Sequence, residues 1–84
     1  MVARRAAELV LSGDERDALE RIVRAGRSEQ RLVKRARVAL LAEKGLTNEE
    51  IAPLAGLSAH KVGKWRHRVA EEGIAGIADR PRPG

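Results

Sequence analysis

Between Ser58 and Arg68 the chain reads SAHKVGKWRHR, with four lysines or arginines, two histidines and no acid. Side chains of these types can ligate a metal, move protons or grip a polyanion. His60 and His67 are seven residues apart, about 10.5 Å along a helix. They cannot share one ion, and no acid or thiol lies between them to complete a site. The adjacent carboxylates Glu49/Glu50 and Glu71/Glu72 diverge by about 100° on a helix and form no acid–base pair. Neither catalysis, metal nor cofactor is expected from these residues. Polyanion binding remains.

On a helical wheel the segment Ala59–Glu72 separates into two faces. Val62, Trp65 and Val69 fall within an arc of about 60°, at 100° per residue. His60, Gly63, Lys64 and His67 lie opposite, with Lys61 and Arg68 on the flank. Trp65 is read as core. An exposed basic helix of this kind suits the major groove of duplex DNA, entered by the helix's N-terminal half. His60 and Lys64 are then expected at base edges, since lysine donates to guanine O6 and N7. Ala59 and Gly63 would allow close approach. Lys61, Arg66, His67 and Arg68 would hold phosphates, as would Ser58 and the amides beside it.

Such a helix must be held by others, and the sequence marks them. Ser12-Gly-Asp-Glu15 is a capping box, with Leu11 before it placed for a hydrophobic staple. Ala18, Leu19, Ile22 and Val23 follow helical spacing until Gly26. A second helix is expected from a Ser28 cap to about Lys44, with Gly45 after it. Its C-terminal half is apolar almost all round, the pattern of a central helix. Thr47-Asn-Glu-Glu50 is another capping box. It opens a short third helix, Asn48–Ala55, on which Ile51, Leu54 and Ala55 are expected to face one way. Pro53 inside that helix lacks the amide that would bond Glu49, so a kink or tightened turn is expected there. Gly56-Leu57-Ser58 turns the chain into the fourth helix, and Gly73 ends it.

The frame Ala52-x3-Gly56-x5-Val62-x2-Trp65 fits a helix-turn-helix. Ala52 is small where two helices meet, Gly56 tolerates positive φ, and Leu57 can plug the turn. The expected fold is all-α: four helices in a small helix-turn-helix domain, homeodomain-like, or winged-helix-like without a wing. Residues 1–10 read as an extended arm, 11–73 as the domain, and 74–84, rich in Gly, Pro and Arg, as a linker.

The totals agree. The 84 residues allow one modest core. Seventeen lysines and arginines against twelve acids give a net charge of +5, a footprint for polyanions. A second basic run lies between Arg24 and Arg37. One Trp and no Phe or Tyr argue against stacking platforms for single strands. Without cysteine there is neither disulfide nor thiolate metal site. The apolar stretch near the start is interrupted by Glu8 and too short for a signal or a span. A cytoplasmic, nucleoid-associated protein with no membrane partner is expected.

Larger motifs run along the chain: Leu11-Ser12-x3-Arg16-x2-Leu19, Gln30-Arg31-x3-Arg35-Ala36-Arg37-x2-Leu40-Leu41, Gly45-Leu46-Thr47-Asn48-x2-Ile51-Ala52, Val62-Gly63-Lys64-Trp65-Arg66-x-Arg68 and Gly73-Ile74-x-Gly76-Ile77-x-Asp79-Arg80-Pro81-Arg82. Together they resemble the N-terminal region of bacterial insertion-sequence transposases of the mariner superfamily. The resemblance implies the first helix-turn-helix of a bipartite reader of terminal inverted repeats. It implies that His60, Lys61 and Lys64 face the transposon end and that Arg80 and Arg82 enter an adjacent minor groove. The second helix-turn-helix and the metal-dependent catalytic domain it implies are not within these residues, so this chain is expected to bind DNA without cutting it. Position 55 is Ala where that family has a larger aliphatic, for which Leu54 is expected to compensate. The expected partners are double-stranded DNA and either a second copy or further transposase domains. The rival reading is a free-standing transcriptional or antitoxin-like regulator. A third is general nucleic-acid association.

Overall fold

The computed structural model describes residues 9–25 and 29–78. Four α-helices follow one another: α1 (Gly13–Arg24), α2 (Gln30–Glu43), α3 (Asn48–Ala55) and α4 (Ala59–Glu72). A 3-10 turn, Gly73–Ile77, closes the order, and no strand occurs among the described residues.

Local hydrogen bonding starts these helices where the sequence says it should. Ser12 Oγ accepts from the Glu15 amide at 3.1 Å, and the Glu15 carboxylate accepts from the Ser12 amide at 3.0 Å. Thr47 and Glu50 repeat the exchange at 3.1 and 2.8 Å. Each box satisfies donors that a helix start leaves unpaired. Glu29 holds the cap position of α2 without a side-chain cap bond. Ser28, expected there, and Gly26 lie outside the described residues, as do residues 1–8 of the expected arm.

The staple takes a different form. Leu11 is buried in the core, and the position where an apolar partner would sit is Arg16. Arg16 instead makes a two-pronged ion pair with Glu43, Nε to Oε1 at 2.8 Å and Nη2 to Oε2 at 2.5 Å. This pair ties the start of α1 to the end of α2. It also offsets the unfavourable placing of an acid at a helix C-terminus. The guanidinium's hydrogen bond holds the Glu43 carboxyl below its ordinary range.

α2 is the central helix, packed against α1, α3 and α4. Val33, Ala36, Val38, Ala39 and Ala42 are its buried residues. Three alanines on that surface let neighbouring backbones approach closely. Leu19, Val38, Ile51 and Val62 are the largest fully buried side chains, one from each helix.

α3 runs through Pro53 without a break in helical geometry, so the expected tightened turn is absent. Pro53 is exposed, and only its own missing hydrogen bond is sacrificed. Gly56 ends α3 with φ of 74°, the left-handed conformation that costs glycine nothing. Leu54 is 55% exposed while Ala55 is buried, so Leu54 does not compensate for the small Ala55.

Both ends of the described chain join the core. Leu9, read from sequence as part of an arm, is 5% exposed. The 3-10 turn, read as the start of a linker, packs on α4 and buries Gly76 and Ile77. Ile74 and Ile77, three apart, supply the apolar side that this turn needs. At Gly76 a Cβ would stand 2.5 Å from the carbonyl oxygen of Arg68, so only glycine lets the turn lie this close.

Candidate nucleic-acid interface

The second helix of the α3–α4 pair begins with Ser58, whose hydroxyl accepts from the Lys61 amide at 3.2 Å. Val62, Trp65 and Val69 point into the core as expected. On the opposite side His60, Lys61, Lys64 and His67 are exposed. Among the described residues His60 and Lys61 form no ion pair or side-chain hydrogen bond. The first acid on that face is Glu71, which lies 3.4 Å from His67 Nε2. The basic face thus occupies the N-terminal three turns of α4.

Arg66 does not belong to it. Expected at a phosphate, it is 5% exposed, the one buried charged residue among those described. Its Nη1 donates to the Leu46 carbonyl at 2.6 Å and to Asn48 Oδ1 at 3.2 Å. Burial pushes its pKa down, yet an arginine stays charged. The reason is angular. Arg66 follows Val62 by four residues, about 40° around the helix, just beyond the edge of the buried arc and on the side that faces Leu46 and Asn48. Its guanidinium clamps the loop before α3 onto α4 and so fixes the mutual placing of the two helices.

Gly63 is half-buried and looks towards α3. A Cβ there would stand 3.2 Å from Asn48 Nδ2, so its smallness serves the helix contact. Ala59 is half-buried at the start of α4.

Trp65 gathers cations. The Arg35 guanidinium lies 3.8 Å from its ring centroid, that of Arg68 4.8 Å and the Lys64 ammonium 4.9 Å. Contacts of this kind are worth about 0.5–1 kcal/mol each at exposed sites. Arg35 also donates to the Ile77 carbonyl at 3.0 Å, and Arg68 to that of Ala78 at 2.9 Å. Both arginines therefore fasten the 3-10 turn beside α4. Arg68, expected at a phosphate, is half-buried and committed in part to this fastening. Sequence reading missed these two roles, because their acceptors are backbone carbonyls with no side-chain signature.

Lys34 of α2 was one more charge in a basic run. It reaches the α3–α4 turn, where it lines a shallow depression with Ala52, Pro53, Gly56, Leu57, Ser58 and Lys61. Arg80 and Arg82 lie outside the described residues. Among the described residues no group of three His, Asp or Glu side chains could hold a metal, and no helix is long and apolar enough to cross a membrane.

Two helices about a left-handed glycine, the second basic on its free face, define a helix-turn-helix, a class that points to double-stranded DNA. The model of a family described as a homeodomain-like domain matches residues 29–78, well over half of the chain. The chain belongs to that homeodomain-like family. The matched span ends with the packed turn and leaves α1 outside it. No curated protein and no solved structure matches the chain.

Proposed function

We propose that this domain reads a specific sequence in double-stranded DNA, with α4 in the major groove. We further infer that it is the first helix-turn-helix of a transposase that recognises terminal inverted repeats. The observation that carries the DNA reading is the free face of α4, where His60, Lys61 and Lys64 stand without an acid before Glu71. The transposase reading is supported by the residue motifs that run from Leu11 to Arg82.

In this arrangement His60 and Lys64 meet base edges, and the small Ala59 keeps the start of the helix low beside them, while Gly63 lets α4 lie close to α3. Ser58, Lys61, His67 and Arg68 take phosphates, which set register without reading sequence. Arg80 and Arg82 enter a neighbouring minor groove, whose negative potential favours arginine when it is narrow.

The test is selection of bound duplexes from a random pool, followed by competition between the selected and a scrambled duplex. Lys64→Ala should weaken the selected duplex more than the scrambled one, by about 1–3 kcal/mol for a good base contact. Lys61→Ala should weaken both alike. Equal specificity ratios for the two variants would reduce Lys64 to a phosphate clamp. An asymmetric site bound by one copy supports the transposon-end reading. A palindrome bound by a stable dimer would replace it with a free-standing regulator.

A further inference from the structure

We propose that the depression beside the α3–α4 turn seats one backbone phosphate of the duplex, gripped jointly by Lys34 of α2 and Lys61 of α4. The proposal rests on the DNA-binding reading above and adds a contact from outside the two helices of the motif.

Three observations meet at this place. Lys34 and Lys61 line the same depression although they come from different helices. No acidic residue lines it, and neither lysine has an ion pair or side-chain hydrogen bond among the described residues. Lys34 is also positioned: its Cε lies 3.5 Å from where a Cβ on Gly56 would stand, so its stem runs over the turn. The left-handed Gly56 thus keeps the floor of the depression open for the lysine that crosses it.

Two like charges facing one hollow with no counter-charge repel each other. An anion between them removes that repulsion and adds two charge-assisted hydrogen bonds. The location suits a phosphate better than a base edge. Lys61 lies about 60° around α4 from Lys64 and about 100° from His60. A group held there sits at the rim of the face that enters the groove, where the sugar-phosphate strand runs. Ser58 lines the same depression and offers its hydroxyl to the same oxygen atoms.

Salt dependence of duplex binding tests this directly. Each phosphate neutralised contributes about −0.9 to the slope of log K against log[salt]. Lys34→Gln and Lys61→Gln should each flatten the slope by a part of that amount. The double variant should flatten it by about 0.9 in total, because one phosphate is shared. A loss of about twice that in the double variant would place the lysines on separate phosphates and overturn the proposal. An unchanged slope for Lys34→Gln, with the parent still binding its selected duplex, would overturn it while leaving the DNA reading intact. If the parent binds no duplex, that reading fails first. Lys34→Arg should keep the parent slope, and thermal melting of each variant shows that the fold is retained. Replacing single phosphates of the duplex by neutral methylphosphonates should reveal one position at which Lys34→Gln and Lys61→Gln no longer matter. Sodium phosphate should shift the Gly56 amide resonance only weakly. Saturation at millimolar phosphate without DNA would assign the seat to a free anion instead.

Discussion

Arg66 offers the sharpest test, because a phosphate clamp and a structural clamp answer differently to its removal. In Arg66→Ala the Leu46 carbonyl and Asn48 Oδ1 lose the donor that reaches them at 2.6 and 3.2 Å. Hydrogen bonds from a charged donor are worth about 1.5–3 kcal/mol each, and truncation also strips the buried stem from its neighbours. Removing a desolvated charge returns part of this. A net loss of about 3 kcal/mol is expected, a large fraction of what so small a domain possesses. At about 4–8 °C per kcal/mol for a chain of this size, the melting temperature should fall by roughly 12–24 °C. Arg66→Lys should lose about half as much, since an ammonium keeps the charge but not the planar fork. Lys64→Ala, at an exposed position, should stay within about 0.5 kcal/mol of the parent. Thermal and urea unfolding followed by circular dichroism would measure all three. If Arg66→Ala melts with the parent while its salt slope for duplex binding flattens by about 0.9, the guanidinium faces DNA and the reasoning is wrong.

Trp65→Ala should cost about 3–5 kcal/mol, the usual loss for a buried tryptophan, and urea titration would show it. A variant that melts normally and only loses DNA would put Trp65 on the binding face. Gly76→Ala should release the 3-10 turn, because a Cβ there meets the Arg68 carbonyl oxygen at 2.5 Å and backbone cannot yield. Faster hydrogen exchange at Ile77 and Ala78, with α2 still protected, is the expected signature. Acid should destabilise the fold through Glu43, whose carboxyl is held below its ordinary 4.5 by Arg16. Its contribution is complete above that unfolded value and disappears as pH falls through the lower folded one. Glu43→Gln should therefore flatten the acid limb of a stability–pH curve, and an unchanged limb would show the pair to be inert.

What the sequence reveals divides along the range of the interaction. Capping boxes at Ser12 and Thr47, the glycine turn at 56 and the stripe Val62, Trp65, Val69 depend on residues within a few positions, so spacing alone exposes them. Leu54 was misplaced because the buried arc of α3 is centred on Ile51, Ala55 and the half-buried Ala52, which leaves Leu54 on the outer edge. Arg66 was misplaced because it lies at the border of the buried arc, about 40° beyond Val62, as far out as exposed Lys61 lies beyond Trp65. Only tertiary contact with Leu46 and Asn48 decides its burial. The 3-10 turn was hidden by composition. Gly and Pro nearby suggested a linker, while the pair Ile74 and Ile77 carried the opposite signal. The partners of Arg35 and Arg68 are carbonyls far along the chain, and no local pattern announces those. On the candidate interface, types and spacing located the helix and its free face, but Lys34 reaches the turn only through tertiary packing.

The joining of both ends in one core has a consequence for synthesis. Leu9 and Leu11 leave the ribosome well before Ile77, yet all three belong to the same cluster with Trp65 and Val69. Translation delivers about 5–20 residues per second, so the nascent chain waits several seconds between its first core residue and its last. During that wait α1 and α2 can pair, whereas Trp65 emerges only twelve residues before Ile77, roughly one or two seconds of synthesis. Until residue 77 is free, Trp65 and Val69 lack the Ile77 contact that completes their cluster.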